Sequence, residues 1–157
     1  MPWTKLAGMK NLFQEDAVDE LIARMETLTP TSQGLWGKMT VAQAMAHCQV
    51  AMEVALGDRS LKRVMIGRII GPLVKGQFLG EKPIGKNSPT DPAFMISGDR
   101  ELDVERDRLE TLIRRFQISG ATDHAKRTHS FFGPMPPDEW ARLMYRHIDH
   151  HLQQFGA

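Results

Sequence analysis

Between Trp140 and Phe155 the apolar side chains recur every three or four residues, and two histidines share their stripe. With Trp140 set to zero and about 100° per residue, Met144 falls at about 40°, His147 at about −20°, His151 at about 20° and Phe155 at about 60°. Whatever this chain folds into must therefore bury two imidazoles along a helix, in line with its largest apolar groups. His150 falls at about −80°, at the edge of the stripe, which separates it from the pair. The helix has a clear start in Pro136-Pro137-Asp138-Glu139. Pro137 suits the first helical position, and the two acids suit the positive end of the dipole. His147 and His151 stand one turn apart on one face, close enough to reach a single metal ion.

Three further helices precede it. The first is expected from Asp16, as N-cap, to Leu28, with Ala17, Leu21, Met25 and Leu28 inward and Thr29-Pro30 as its stop. The second opens on a capping box, Thr40-Val41-Ala42-Gln43, and closes at Gly57. His47 lies three residues after Ala44 and four before Ala51, so it shares a face with small apolar residues. The third spans Glu101 to Phe116, with Leu102, Leu109, Ile113 and Phe116 inward, Glu105, Arg106, Arg108 and Glu110 outward, and Gly120 closing it.

Between the second and third helices, from Asp58 to Gly98, glycines and prolines break the pattern. A short basic amphipathic helix near Leu61 to Ile70 fits inside it. So long a connection has to cross the domain or cover something. It reads as the crossover of a four-helix bundle, part of it shaping the mouth of a site. A second irregular stretch, Ala121 to Met135, holds His124, His129 and the turn Phe131-Phe132-Gly133-Pro134.

At 157 residues the chain is most simply one domain, residues 1–157, able to bury a core without staples. The formal charge of +1 gives no reason to expect nucleic acid as a partner. No apolar run approaches the roughly 20 residues of a membrane span, and no membrane partner is expected. Met1-Pro2-Trp3-Thr4-Lys5 does not read as a signal peptide, and the single cysteine, Cys48, fits a reducing compartment. The expectation is a soluble cytoplasmic protein.

A histidine on an apolar stripe is commonly a core residue bonded to a backbone carbonyl. Two such residues one turn apart incur the desolvation cost twice and repel if both are protonated, and a shared cation relieves both problems. The spacing alone leaves both uses open. No Cys-x-x-Cys-His supplies haem attachment, and the paired Glu-x-x-His motifs of di-iron bundles are missing.

The run Leu35-Trp36-Gly37-Lys38-Met39-Thr40-Val41-Ala42-Gln43-Ala44-Met45-Ala46-His47 carries a resemblance to a known family. So do Phe132-Gly133-Pro134-Met135-Pro136-Pro137-Asp138-Glu139-Trp140 and His147-Ile148-Asp149-His150-His151-Leu152-Gln153-Gln154-Phe155-Gly156. In the order and spacing of these blocks, from Asn11 to Gly156, the chain resembles the DinB-like superfamily of metal-dependent enzymes, in its small branch of uncharacterised bacterial domains. The resemblance implies an all-α four-helix bundle of up-down-down-up topology with a long crossover between helices 2 and 3. It also implies a divalent metal, nickel or zinc, on His47, His147 and His151. One departure is Pro136, where a capping Ser or Thr would be expected.

Three neutral imidazoles leave an ion with open coordination positions, as in catalytic sites. Characterised members of the superfamily include thiol-dependent S-transferases and a thiol-dependent isomerase. The expected function is therefore a metal-dependent thiol S-transferase or hydrolase acting on a small molecule, with a low-molecular-weight thiol as substrate. The alternative is a non-catalytic metal-binding or dimerisation module of the same fold, a homodimer joined through exposed Met65, Phe78 and Phe94. His129 is the candidate acid–base residue. Cys48 is expected to be a small core residue, Asp149 a solvated or interface residue, and Lys62, Arg63, Arg68 and Lys75 scattered solvated charge.

Overall fold

The computed structural model describes residues 8–123 and 127–157. Its helices are α1 (Glu15–Glu26), α2 (Val41–Leu56), α3 (Met65–Leu79), α4 (Leu102–Asp123) and α5 (Pro137–Gln154), with a 3-10 turn at Pro92–Phe94. Among the described residues the remaining regular structure is a two-stranded antiparallel hairpin, β1 (Thr128–His129) with β2 (Gly133–Pro134). The protein is mostly helical. None of the described helices is long and apolar enough to cross a membrane. His124 lies outside the described residues.

The helix boundaries follow from local chemistry. At α2 the expected capping box is present: Thr40 Oγ accepts from the Gln43 backbone N–H, and Gln43 Oε1 accepts from the Thr40 N–H. Gly57 ends that helix at φ 80°, in the left-handed region where a side chain is disfavoured. At α1 the N-cap is Gln14, and Asp16 sits inside the first turn, where its carboxylate accepts from the Ala17 N–H. The reason is a turn just upstream. Asn11 accepts from the Phe13 N–H, Gln14 accepts from the Asn11 N–H, and the chain enters the helix before it reaches Asp16. At α5 Pro137 takes the first position as expected, and Pro136 provides no side-chain cap.

Within the long connection, the expected short helix is instead a 15-residue one, and it begins four residues later than Leu61. Gly67 and Gly71 do not break it. They let it lie directly on the hairpin backbone, where a Cβ on Gly67 would stand 2.6 Å from the Phe131 carbonyl oxygen. The C-terminal carbonyls of α3 are taken up by two arginines of α5. Arg142 donates to Leu79 and Gly80 at 3.1 and 3.0 Å, and Arg146 donates to Gln77 at 3.0 Å and to Phe78. Cations at a helix C-terminus also oppose its dipole favourably.

Helices α1, α2, α4 and α5 pack on one another around a single apolar cluster, and α3 covers α5 from the other side. As a result α5 is buried almost all round, Arg142 and Arg146 included, and is not the one-sided helix its stripe suggested. Glu105, expected outward, is buried against α2. Gln49 Nε2 donates to its carboxylate at 2.7 Å and its carbonyl at 2.9 Å, and the Arg100 and Arg108 guanidiniums stand 3.6 Å away. Helix α4 runs past Phe116, and its dihedrals leave the helical range at Gly120 (φ 65°).

Candidate metal centre

His47 comes from the middle of α2, and His147 and His151 come from successive turns near the end of α5. One nitrogen from each ring lies within 4.8 Å of the other two. The His47–His147, His47–His151 and His147–His151 ring centroids are 4.9, 4.7 and 4.9 Å apart. The two histidines that the stripe angles single out from the run His147, His150 and His151 are the ones that stand with His47.

The hydrogen bonds at the outer nitrogens fix how the rings present themselves. His47 Nδ1–H donates to the Phe94 carbonyl at 2.9 Å, so its Nε2 carries the lone pair that faces inward. His151 Nδ1–H donates to Gln154 Oε1 at 2.8 Å, which likewise leaves Nε2 free to bind. The Gln154 amide is oriented from its other end, where Nε2 donates to the Trp36 carbonyl at 2.8 Å. Because His47 Nε2 is an acceptor, His147 Nε2–H donates to it across 2.9 Å. Binding of an ion there would move the His147 proton to its Nδ1.

Burial holds all three imidazoles neutral. His47 is lowered from its ordinary value by desolvation, against a smaller opposing effect of its bond to Phe94. Desolvation and the neighbouring histidines lower His147 strongly, and the same causes bring His151 to about 3. Neutral imidazole is the form that binds a metal, so no proton has to leave at pH 7. An ion about 2.0–2.1 Å from each nitrogen would separate tetrahedral ligands by about 3.3 Å. The His47 and His147 Nε2 atoms stand 2.9 Å apart and all three donor nitrogens lie within 4.8 Å of one another, which brackets that spacing. The donor set therefore fits a borderline divalent ion that favours nitrogen.

The connection between α2 and α4 does reach the site, through Phe94, whose carbonyl holds His47 and whose ring meets the His47 ring edge-on. Phe94 and Phe78, expected to be exposed, are half-buried against the core, and of the three only Met65 is exposed. Two supporting groups escaped the sequence reading. Gln154 carried a usable signal, being a polar residue three positions after a ligand on the same helix. The Phe94 carbonyl carried none, because any residue type supplies it. Gly37 belongs with Gln154: at φ 77° it passes so close that a Cβ there would meet Gln154 Nε2 at 2.6 Å.

The other named residues fall in distinct places. His129 is at the end of β1, with its ring against Phe132 and Trp140 at 4.6 and 5.4 Å. Its Nδ1 accepts from the Phe131 and Phe132 N–H groups, both at 3.1 Å, so Nε2 holds the proton. Burial, helped by the Arg63 charge, lowers its pKa to about 4. Asp149 is ion-paired with Arg24 of α1 at 2.7 Å. Cys48 is fully buried and its thiol pKa is pushed up by desolvation, as suits a core residue. Of the four basic residues, Arg63 donates to the His129 carbonyl at 2.8 Å and Lys75 pairs with Glu139 at 2.7 Å, so two of them hold structure together.

His150 lies between the trio and a cavity. Its ring is 5.1 Å from that of His151 and 5.5 Å from that of Trp36. The cavity, of about 170 Å³, is lined by Trp36, Lys86, Tyr145, Arg146, Asp149 and His150 among others. It is small, lined by polar and apolar groups alike, and mixes both signs of charge, with room for a low-molecular-weight group.

No curated protein and no solved structure matches the sequence significantly. Residues 9–157 match the family described as "Protein of unknown function (DUF1569)", which covers nearly the whole chain. The chain belongs to that DUF1569 family.

Proposed function

We propose that this protein binds a divalent metal, nickel or zinc, through His47, His147 and His151. We further propose that it uses the metal in thiol-dependent transfer or hydrolysis on a small molecule. The single observation that carries the reading is the convergence of three neutral imidazoles, with two outer nitrogens held by Phe94 O and Gln154 Oε1. Such outer bonds fix the tautomer and raise the basicity of metal-binding histidines. In the same reading, α1, α2, α4 and α5 form the up-down-down-up bundle of the DinB-like superfamily, and DUF1569 is one of its branches.

A divalent ion held by three neutral imidazoles supplies Lewis acidity with open coordination positions, which acidifies a thiol or water brought to it. The protein contributes the rest. Phe94 packs edge-on against His47, Trp36 lies against His150, and Lys86, whose ammonium stands over the Trp36 ring, favours a substrate that carries a carboxylate. His129 is the candidate acid–base residue; its ring is neutral at pH 7 and offers Nε2–H as a hydrogen-bond donor.

The test is metal analysis of the purified protein beside His47→Ala, His147→Ala and His151→Ala. The loaded protein is then assayed with a panel of small thiols and a chromogenic electrophile. One equivalent of metal in the native protein, with loss in each variant, is expected. Less than about a tenth of an equivalent, with no uptake on reconstitution, would refute the metal reading. Equal turnover by the native protein and His151→Ala would leave a metal-binding module without catalysis.

A further inference from the structure

Helix α3 presents an apolar face to the outside. Met65, Ile66, Ile69 and Leu73 are 72, 58, 75 and 79% exposed, and Ile70 is exposed beside them. At about 100° per residue these five cover an arc of roughly 140°. The opposite arc holds Gly67, Gly71, Val74 and Phe78, which face the hairpin and core. The helix is thus apolar on both sides, and only one side has a protein partner. A contiguous apolar strip of this kind on a folded domain marks a contact surface.

Charge indicates what meets it. From Arg59 to Gly80 the sequence has five cations and no acid; Arg59, Arg63 and Lys75 are engaged with Glu53, the His129 carbonyl and Glu139, which leaves Lys62 and Arg68 for an outside partner. Arg68, on the flank of the apolar arc, and Lys62, just before the helix, are both exposed. We infer that α3 lies in the interface of an anionic lipid bilayer, with Ile66, Ile69 and Leu73 among the acyl chains and Lys62 and Arg68 at the phosphates. An in-plane helix with an apolar face and a basic flank binds in this way. Long basic side chains reach from such a flank to the headgroup level.

A second copy of the chain fits the same face less well. The five exposed side chains together offer on the order of 600 Å² of accessible surface. A stable dimer needs about 800 Å² from each partner. Two-fold pairing would also set the acid-free segment against itself. The sequence expectation of no membrane partner rested on the lack of a spanning segment, and an interfacial helix does not require one.

The test is vesicle flotation of the full chain with pure phosphatidylcholine and with a 3:1 mixture of phosphatidylcholine and phosphatidylglycerol. The mixed vesicles are expected to bind at least about tenfold more tightly, and raised salt to weaken the binding. The double variant Ile69→Glu/Leu73→Glu should lose binding at least tenfold while keeping its far-UV circular dichroism spectrum. Lys62→Ser/Arg68→Ser should remove the preference for the anionic mixture. Sedimentation of the same proteins reports the competing occupant. No binding to either vesicle, equal binding to both, or a stable dimer that Ile69→Glu dissociates would each overturn the inference.

Discussion

Replacing Gln154 with Leu keeps the side-chain volume close to native and deletes both polar ends of a group that is 2% exposed. Two hydrogen bonds of 2.8 Å are lost, from His151 Nδ1–H and to the Trp36 carbonyl. A net hydrogen bond is worth about 1 kcal/mol, and a buried group left unpaired costs about 1–3 kcal/mol. The metal-free variant should therefore unfold with about 2–4 kcal/mol less stability, read from urea midpoints at constant slope. At the centre, His151 loses the acceptor that fixes its tautomer. Removal of such a partner typically lowers metal affinity about 10- to 100-fold, or about 1.4–2.7 kcal/mol. Competition for zinc or nickel against a chromophoric chelator measures that loss directly. Gln154→Glu separates the two effects. It keeps an acceptor at His151 but turns a carboxylate oxygen toward the Trp36 carbonyl, so it should be destabilised while holding metal within about threefold of native. If Gln154→Leu binds metal within about twofold of native, the tautomer argument is wrong.

Other perturbations test the fold and the buried histidines. Gly71→Ala drives a methyl group into the Phe131 backbone and should cost at least about 1–3 kcal/mol in chemical unfolding. Gly76→Ala, in the same helix with nothing near its Cβ position, should be neutral or stabilise by up to about 1 kcal/mol. Equal effects for the two would contradict the close packing of α3 on the hairpin. Thr40→Ala removes the capping box of α2 and should lower stability by about 1 kcal/mol without changing metal stoichiometry. His129 is held at about 4 in the folded protein against about 6.5 unfolded, so the unfolded chain binds more protons between those values. Its contribution to stability is present above pH 6.5 and falls away as pH drops to about 4, by up to about 3 kcal/mol. Urea midpoints should therefore decline from pH 7 to pH 5, and His129→Gln should flatten part of the decline. A flat profile in the native protein would mean that the ring is not desolvated as described.

Much of this organisation is written in short-range chemistry. The capping box at Thr40, the stop at Gly57 and the start at Pro137 act within one helical turn, and the structure has all three. Helical spacing likewise aimed His47, His147 and His151 inward, because side-chain direction along a helix depends only on position number. Other features arise between segments distant in the chain. Gly67 and Gly71 read as breakers until the Phe131 backbone supplies a reason for having no side chain there. Glu105 read as a solvent residue until Gln49, 56 positions away, met it in the interior.

The sequence by itself determined where α2 and α5 begin and that His47, His147 and His151 turn inward, since caps, dipoles and periodicity are local properties. Only the tertiary structure decided that α5 is enclosed on nearly every side, and that α3 rests on the hairpin with its own apolar face outward. It also decided that a Phe94 carbonyl and a Gln154 amide set the ligand histidines. Those outcomes depend on which surfaces meet, and on polar groups that must find partners once water is excluded.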